Sequence, residues 1–246
     1  ETQEYVENKK SIQLKFLEFI DNENNTEENY QDLLKLIRDQ KILEDFHEVK
    51  ALLHLISKVS NNHHRSSKFF SKIQKLLLYL QKKGSKHTMS KINIFDIFHN
   101  NKKLLPFLFE QKFIEIDYSI YQFYMQPKYQ KLDFPLFLIN NLRKTIKNSK
   151  IRELLKKQPE NFEEKQKMGE NESKICEIIR KDSIEEFIEY REQTNLTLDS
   201  KIERSIFETN SILMKNDPTI IEYAAFFGSI KIFKYLQENN VKLTPS

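Results

Sequence analysis

The sequence predicts an all-α fold, and three observations carry that prediction. Apolar residues recur at helical spacing through most of the 246 residues. Only three glycines and six prolines occur, too few to turn the tight corners of a sheet protein. Ser/Thr-x-x-Glu pairs stand at Ser183/Glu186, Ser205/Glu208 and Thr219/Glu222. Such a pair opens a helix because hydroxyl and carboxylate each satisfy an amide that the first turn leaves without a partner.

The helices are placed by where the periodicity starts and stops. SIQLKFLEFI aligns Ile12, Phe16, Leu17 and Ile20 on one stripe. The polar NENNTEEN ends it, and Asn25 with Glu28 opens a second helix carrying Leu33, Leu34 and Ile37. VKALLHLISKV gives a third through Val49, Leu52, Leu53 and Ile56, followed by the connector NNHHRSS. Residues 66–83 form a long amphipathic helix stopped at Gly84, which suits a left-handed cap. INIFDIFHN and KKLLPFLFEQK make two shorter helices, with Pro106 in the first turn of the second, where its missing N–H removes no bond. Residues 113–142 are the most aromatic stretch, punctuated by Pro127 and Pro135, and their apolar density predicts packed core. IRELLKKQ continues as helix. The polar stretch 158–173 holds Pro159 and Gly169 and marks a boundary. Three domains are therefore expected: a helical region over 1–158, a polar linker or long loop over 159–173, and helix pairs over 174–246.

Composition sets the class. Hydrophobic residues make up 39% and charged residues 31%, a globular rather than disordered balance. The single cysteine, Cys176, precludes an intrachain disulfide. The chain opens on Glu1 without a basic-then-apolar leader, and no apolar run approaches about 18 residues. A cytoplasmic location without a membrane span is expected, for a whole protein or a fragment of one.

The net charge of +4 conceals an asymmetry. Residues 61–103 carry 10 basic and 1 acidic group, whereas residues 1–60 and 159–246 are each net negative by five. A basic middle of this kind is a candidate nucleic-acid or anionic surface through Arg65, Lys68, Lys72, Lys75, Lys82, Lys83 and Lys86. Against it, 33 of the 40 cations are Lys and 7 are Arg, the residue that recognises phosphate and guanine bidentately.

The chain also echoes itself. GSIKIFKYLQENN (228–240) aligns with DSIEEFIEY (182–190) at a shift of 46, and KYLQENN recurs as LYLQKKG (78–84) and PFLFEQK (106–112). Recurring units are the mark of a stacked array in which each covers its neighbour's apolar side. Residues 217–243 resemble an ankyrin repeat: Thr219 opens the first helix, Ile221 stands for its leucine, Ala224 and Ala225 for the alanine pair, and Gly228 for the turn glycine. Ile230, Ile232, Phe233, Tyr235 and Leu236 supply the second helix's stripe. Glu222 replaces the usual histidine, Ile220 the proline and Asn240 the closing glycine, although Asn tolerates the left-handed conformation. Together with KICEIIRKDSIEEF and SIFETNSILMKND, EYAAFFGSIKIFKYL is similar to a large group of protozoan ankyrin proteins, in which a divergent all-helical domain precedes the repeats.

The resemblance implies an ankyrin-like α-solenoid, degenerate in its N-terminal part, that binds a partner protein without catalysis. It implies contacts from the loop before the first helix, at Lys215, Asn216 and Pro218, and from Phe226 and Phe227 ahead of Gly228. It also implies further repeats after Ser246, which would leave Ile230, Phe233 and Phe227 as a stacking face. A monomer is expected, with self-association through that terminal face as the alternative. No cofactor or metal is expected. The six histidines between 47 and 99 (His47, His54, His63, His64, His87, His99) lack a Cys partner or an H-x-x-x-H spacing. The glycines lie 85 and 59 residues apart, which excludes a glycine-rich phosphate loop. Cys176 lies between Ile175 and Ile178 with no base beside it and reads as a buried apolar residue rather than a nucleophile. No catalytic residue is expected.

Overall fold

Helical periodicity in the sequence becomes helix in the fold. The computed structural model describes residues 2–22, 24, 26–62, 68–83 and 90–243, with side chains from residue 6 onward. Among the described residues there are 17 α-helices and no β-strand, so the chain is all-α. None of these helices is long and apolar enough to cross a membrane. Packing divides the chain into two units, Glu1–Glu115 and Ile116–Ser246.

In the first unit, α1 (Thr2–Asp21) and α2 (Thr26–Asp39) pack along each other. The buried stripe of α1 is Ile12, Phe16, Phe19 and Ile20; Leu17 is only half-buried, and Phe19 sits 5.1 Å from the Tyr30 ring of α2. A 3-10 turn at Ile42–Glu44 leads to α3 (Phe46–Asn62), which packs on α4 (Phe69–Lys83) and α5 (Lys91–Phe98). α6 (Leu105–Glu110) carries Pro106 in its first turn, as its missing N–H allows. Phe69, Ile73, Leu76 and Leu77 of α4 are fully buried, matching the period of an amphipathic helix. The caps assigned to Asn25 and Gly84, and His63, His64 and His87, lie outside the described residues.

The second unit begins with the aromatic stretch, which is core as its density predicts. α7 (Tyr118–Tyr124), α8 (Pro127–Gln130), α9 (Phe134–Phe137) and α10 (Ile139–Thr145) follow in short steps, with Pro127 and Pro135 in first turns. Tyr124 stacks on Phe134 at 5.4 Å, and Tyr129 meets both rings edge-on at 5.3 Å. α11 (Ser149–Lys156) packs back on α9 and α10. The stretch read as a linker carries α12 (Phe162–Met168), whose Phe162 is buried 5.3 Å from Phe207.

Two helix pairs complete the unit: α13 (Lys174–Lys181) with α14 (Ile184–Thr194), and α16 (Ile220–Phe227) with α17 (Ile230–Glu238). α13 packs on α16, and α14 packs on α17. Between them runs a 25-residue connection containing α15 (Ser211–Lys215). Cys176, Ile178, Ile179, Phe187, Tyr223, Ala224, Ile232 and Leu236 form the shared core.

Of the three expected capping boxes, one forms. Thr219 accepts from the Glu222 N–H at 3.4 Å and Glu222 accepts from the Thr219 N–H at 2.8 Å. Ser183 precedes α14 without a side-chain cap. Ser205 opens no helix, because its partner Glu208 is buried and its carboxylate is held by the backbone N–H groups of Asn171, Thr209 and Asn210. The motif names residues that can exchange bonds; tertiary donors outbid the local one here.

Candidate functional site

The turn between paired helices places everything around it. In α16/α17 the chain passes through Gly228 at φ 67°, and Ser229 N–H donates to the Ala224 carbonyl at 2.9 Å. In α13/α14 the residue 46 positions earlier, Asp182, takes the same left-handed conformation at φ 50°, and Ser183 N–H reaches Ile178 O at 3.4 Å. Both pairs end alike, on Asn195 (φ 53°) and Asn240 (φ 63°). The PFLFEQK echo shares this ending: Lys112 stands at φ 60°, and Phe113 N–H donates to Leu108 O at 2.9 Å, as Val241 N–H does to Leu236 O at 3.0 Å.

Four polar links hold one pair on the other. The Asp182 carboxylate accepts from the Lys231 and Ile232 N–H groups, both at 3.0 Å, and so caps α17 from the neighbouring pair. The Ser229 hydroxyl donates to the Ile179 carbonyl at 2.5 Å, closing the end of α13. Arg180 donates to the Tyr223 hydroxyl at 2.8 Å, and Arg191 to that of Tyr235 at 3.0 Å. Arg180 also pairs with Glu170 at 3.0 Å and lies over the Phe227 ring. Burial pushes the Tyr223 phenol far above its ordinary range.

These links decide where the expected partner-binding residues stand. Lys215 and Asn216 are exposed at the end of α15. Pro218, expected on the contact loop, is buried, with its carbonyl accepting from Ile202 N–H at 2.7 Å. Phe226 and Phe227 are half-buried against the core, and Phe227 lies 4.7 Å from Tyr223. The Arg180 guanidinium lies over the Phe227 ring, and Phe226 meets that ring edge-on at 5.1 Å. At the far side of this pair Ile230 is 62% exposed, while Phe233 is half-buried.

The fold adds residues that the sequence did not single out. Lys201 bridges to Thr219, and Ile220 N–H donates to Ser200 O at 3.0 Å, so the segments 200–204 and 217–220 run side by side. Arg204 thereby meets Asp217 at 2.5 Å, next to Asn216 and Lys215. The Arg204 hydrogen bond, chief among the causes, holds the exposed Asp217 carboxyl below the usual carboxylate range. With Ile212 44% exposed nearby in sequence, the edge offers cations, an amide and an aliphatic side chain. Cys176 is fully buried and burial pushes its thiol pKa up, the reverse of what a nucleophilic thiolate needs.

The basic segment 61–103 fares differently from its sequence reading. Lys72 is 3% exposed, and its ammonium donates to the Ile20 carbonyl at 2.8 Å and the Asn22 carbonyl at 3.0 Å, closing the C-terminal end of α1. Lys75 pairs with Glu27 at 2.7 Å over the Tyr30 ring. Lys68, Lys82 and Lys83 are exposed; Arg65 and Lys86 lie outside the described residues. Charge counts along a sequence do not distinguish a solvated lysine from one that caps a helix.

No protein-family model, curated protein or solved structure matches this chain.

Proposed function

We propose that the chain is a non-catalytic ankyrin-type scaffold that binds a partner protein along the edge formed by residues 200–204 and 212–217. The observation that carries this reading is the repeated pair. α13/α14 and α16/α17 share a left-handed turn at a shift of 46, end on left-handed Asn residues and stack first helix on first, second on second. Units built this way present a row of loops on one edge, and exposed residues there are free of packing duties. Lys215, Asn216 and Arg204 occupy that edge here. The connection before α16 is longer than the compact hairpin of an ankyrin array, which makes the repeat a divergent one. A basic surface over 61–103 is the weaker reading, because Lys72 and Lys75 are engaged within the unit.

The test uses the full chain bearing a photo-crosslinking residue at Asn216, or at Lys82 as the comparison, in its native cells. A discrete crosslinked protein at Asn216 that is absent at Lys82 is expected. Lys215→Glu combined with Arg204→Glu should then weaken that partner's binding at least about tenfold, the effect of one well-placed contact. Equal crosslinking at both positions, or unchanged affinity of the double variant, refutes the assignment.

A further inference from the structure

A cluster of free positive charge among the described residues lies where the sequence reading did not place it. Residues 143–157 hold seven cations and one carboxylate, Glu153. Leu142 and Ile146, flanking Arg143 and Lys144, are buried, and α11 turns Ile151 inward. Arg143, Lys144, Lys147, Arg152 and Lys156 are left exposed. Glu153 is shared between Lys150 at 3.6 Å and Lys157 at 3.5 Å. The other five cations make no ion pair among the described residues. Within residues 61–103, by contrast, Lys72 caps α1 and Lys75 pairs with Glu27. α10 and α11 pack on each other and on α9, so the helices that carry Arg143, Lys144, Arg152 and Lys156 meet at one folded corner, with Lys147 on the turn between them. Gln158 donates to Asn140 at 3.3 Å and Asn140 to Glu163 at 3.5 Å, which puts the corner's acidic edge at Glu163.

We infer that this corner binds the phosphate backbone of duplex nucleic acid without reading its sequence. The choice of occupant follows from what the surface lacks. An interfacial membrane helix buries an apolar face, yet none of the exposed large hydrophobic residues lies between 143 and 157. A protein interface needs a desolvated aromatic or aliphatic anchor at its centre, and the same observation removes it. Single strands are gripped by aromatic side chains stacking on bases, and residues 143–157 include no aromatic residue. Unpaired cations without a stacking platform or an anchor match a closely spaced row of phosphates.

The test is fluorescence anisotropy of the full chain with a labelled mixed-sequence duplex between 50 and 200 mM NaCl. Five neutralised phosphates give a log–log salt slope of about −4.5, or an affinity loss of about 500-fold across that range. R143Q/K144Q/R152Q/K156Q should flatten the slope to about −1 and lower affinity at 50 mM salt more than about 100-fold. K68Q/K82Q/K83Q, which removes exposed cations of the other unit, should leave both within about twofold. DNA and RNA duplexes should compete within a few-fold of one another. The inference falls if no duplex binds at 50 mM salt or if the two variants lose affinity equally. It also falls if single strands, polyglutamate or phosphatidylserine vesicles bind more tightly than the duplex.

Discussion

Replacing Asp182 separates two effects that this one side chain combines. Its backbone is left-handed at φ 50°, and its carboxylate caps α17 through two N–H groups at 3.0 Å. Losing a helix cap costs about 1 kcal/mol, with a range of about 0.5–2. The negative charge at a helix N-terminus adds about 0.3–1 kcal/mol. Asp182→Gly loses both but relieves the left-handed strain, worth up to about 1 kcal/mol, for a net cost of about 1 kcal/mol. Asp182→Ala loses both and keeps the strain, for about 2 kcal/mol. Asp182→Asn retains one acceptor and tolerates the conformation, for about 0.5–1 kcal/mol. Hydrogen exchange of α17 peptides in the full chain reads these values locally, with α1–α3 peptides as the internal standard. A loss of 2 kcal/mol lowers protection about 30-fold, since 1.4 kcal/mol is tenfold. The expected order of damage is Ala, then Gly, then Asn. Equal damage by Gly and Ala would refute the strain argument. Three variants with wild-type protection in α17 would refute the cross-pair cap.

Two further outcomes follow from the same geometry. Lys72→Met keeps the side-chain volume but leaves the Ile20 and Asn22 carbonyls without their ammonium, and should destabilise the first unit by about 2–3 kcal/mol in exchange of α1 peptides; a variant as stable as wild type would show that water replaces the ammonium. Tyr223 has a folded pKa raised by burial, so its contribution to stability is fully present below the unfolded value of about 10 and is lost as pH rises above it. Phenolate absorbance from Tyr223, isolated as the difference from Tyr223→Phe, should therefore appear together with loss of helicity above about pH 10, and its appearance in the folded chain would contradict the burial.

How much was legible depended on whether a signal was local. Thr219/Glu222 forms its box because both donors and both acceptors lie within one turn. Ser205/Glu208 has the same spacing and opens no helix, because three amides gather on Glu208, one of them from Asn171. The Gly228 turn was readable from its glycine. Its equivalent at Asp182 was visible only as an alignment, and its role as cap for α17 was invisible, since the bonded residues lie 49 and 50 positions away. Likewise Arg204 and Asp217 are brought together by the pairing of 200–204 with 217–220, which leaves no periodic trace.

The sequence alone determined the all-α class, the apolar stripes and the Gly228 turn, because each rests on spacing within a few residues of helix. Tertiary structure decided which polar groups stay in water. Lys72 and Lys156 look alike along the chain, yet one is surrounded by Phe19 and the carbonyls of α1 while the other faces solvent. Burial of a charge depends on what the rest of the chain places around it, and that is a property of packing.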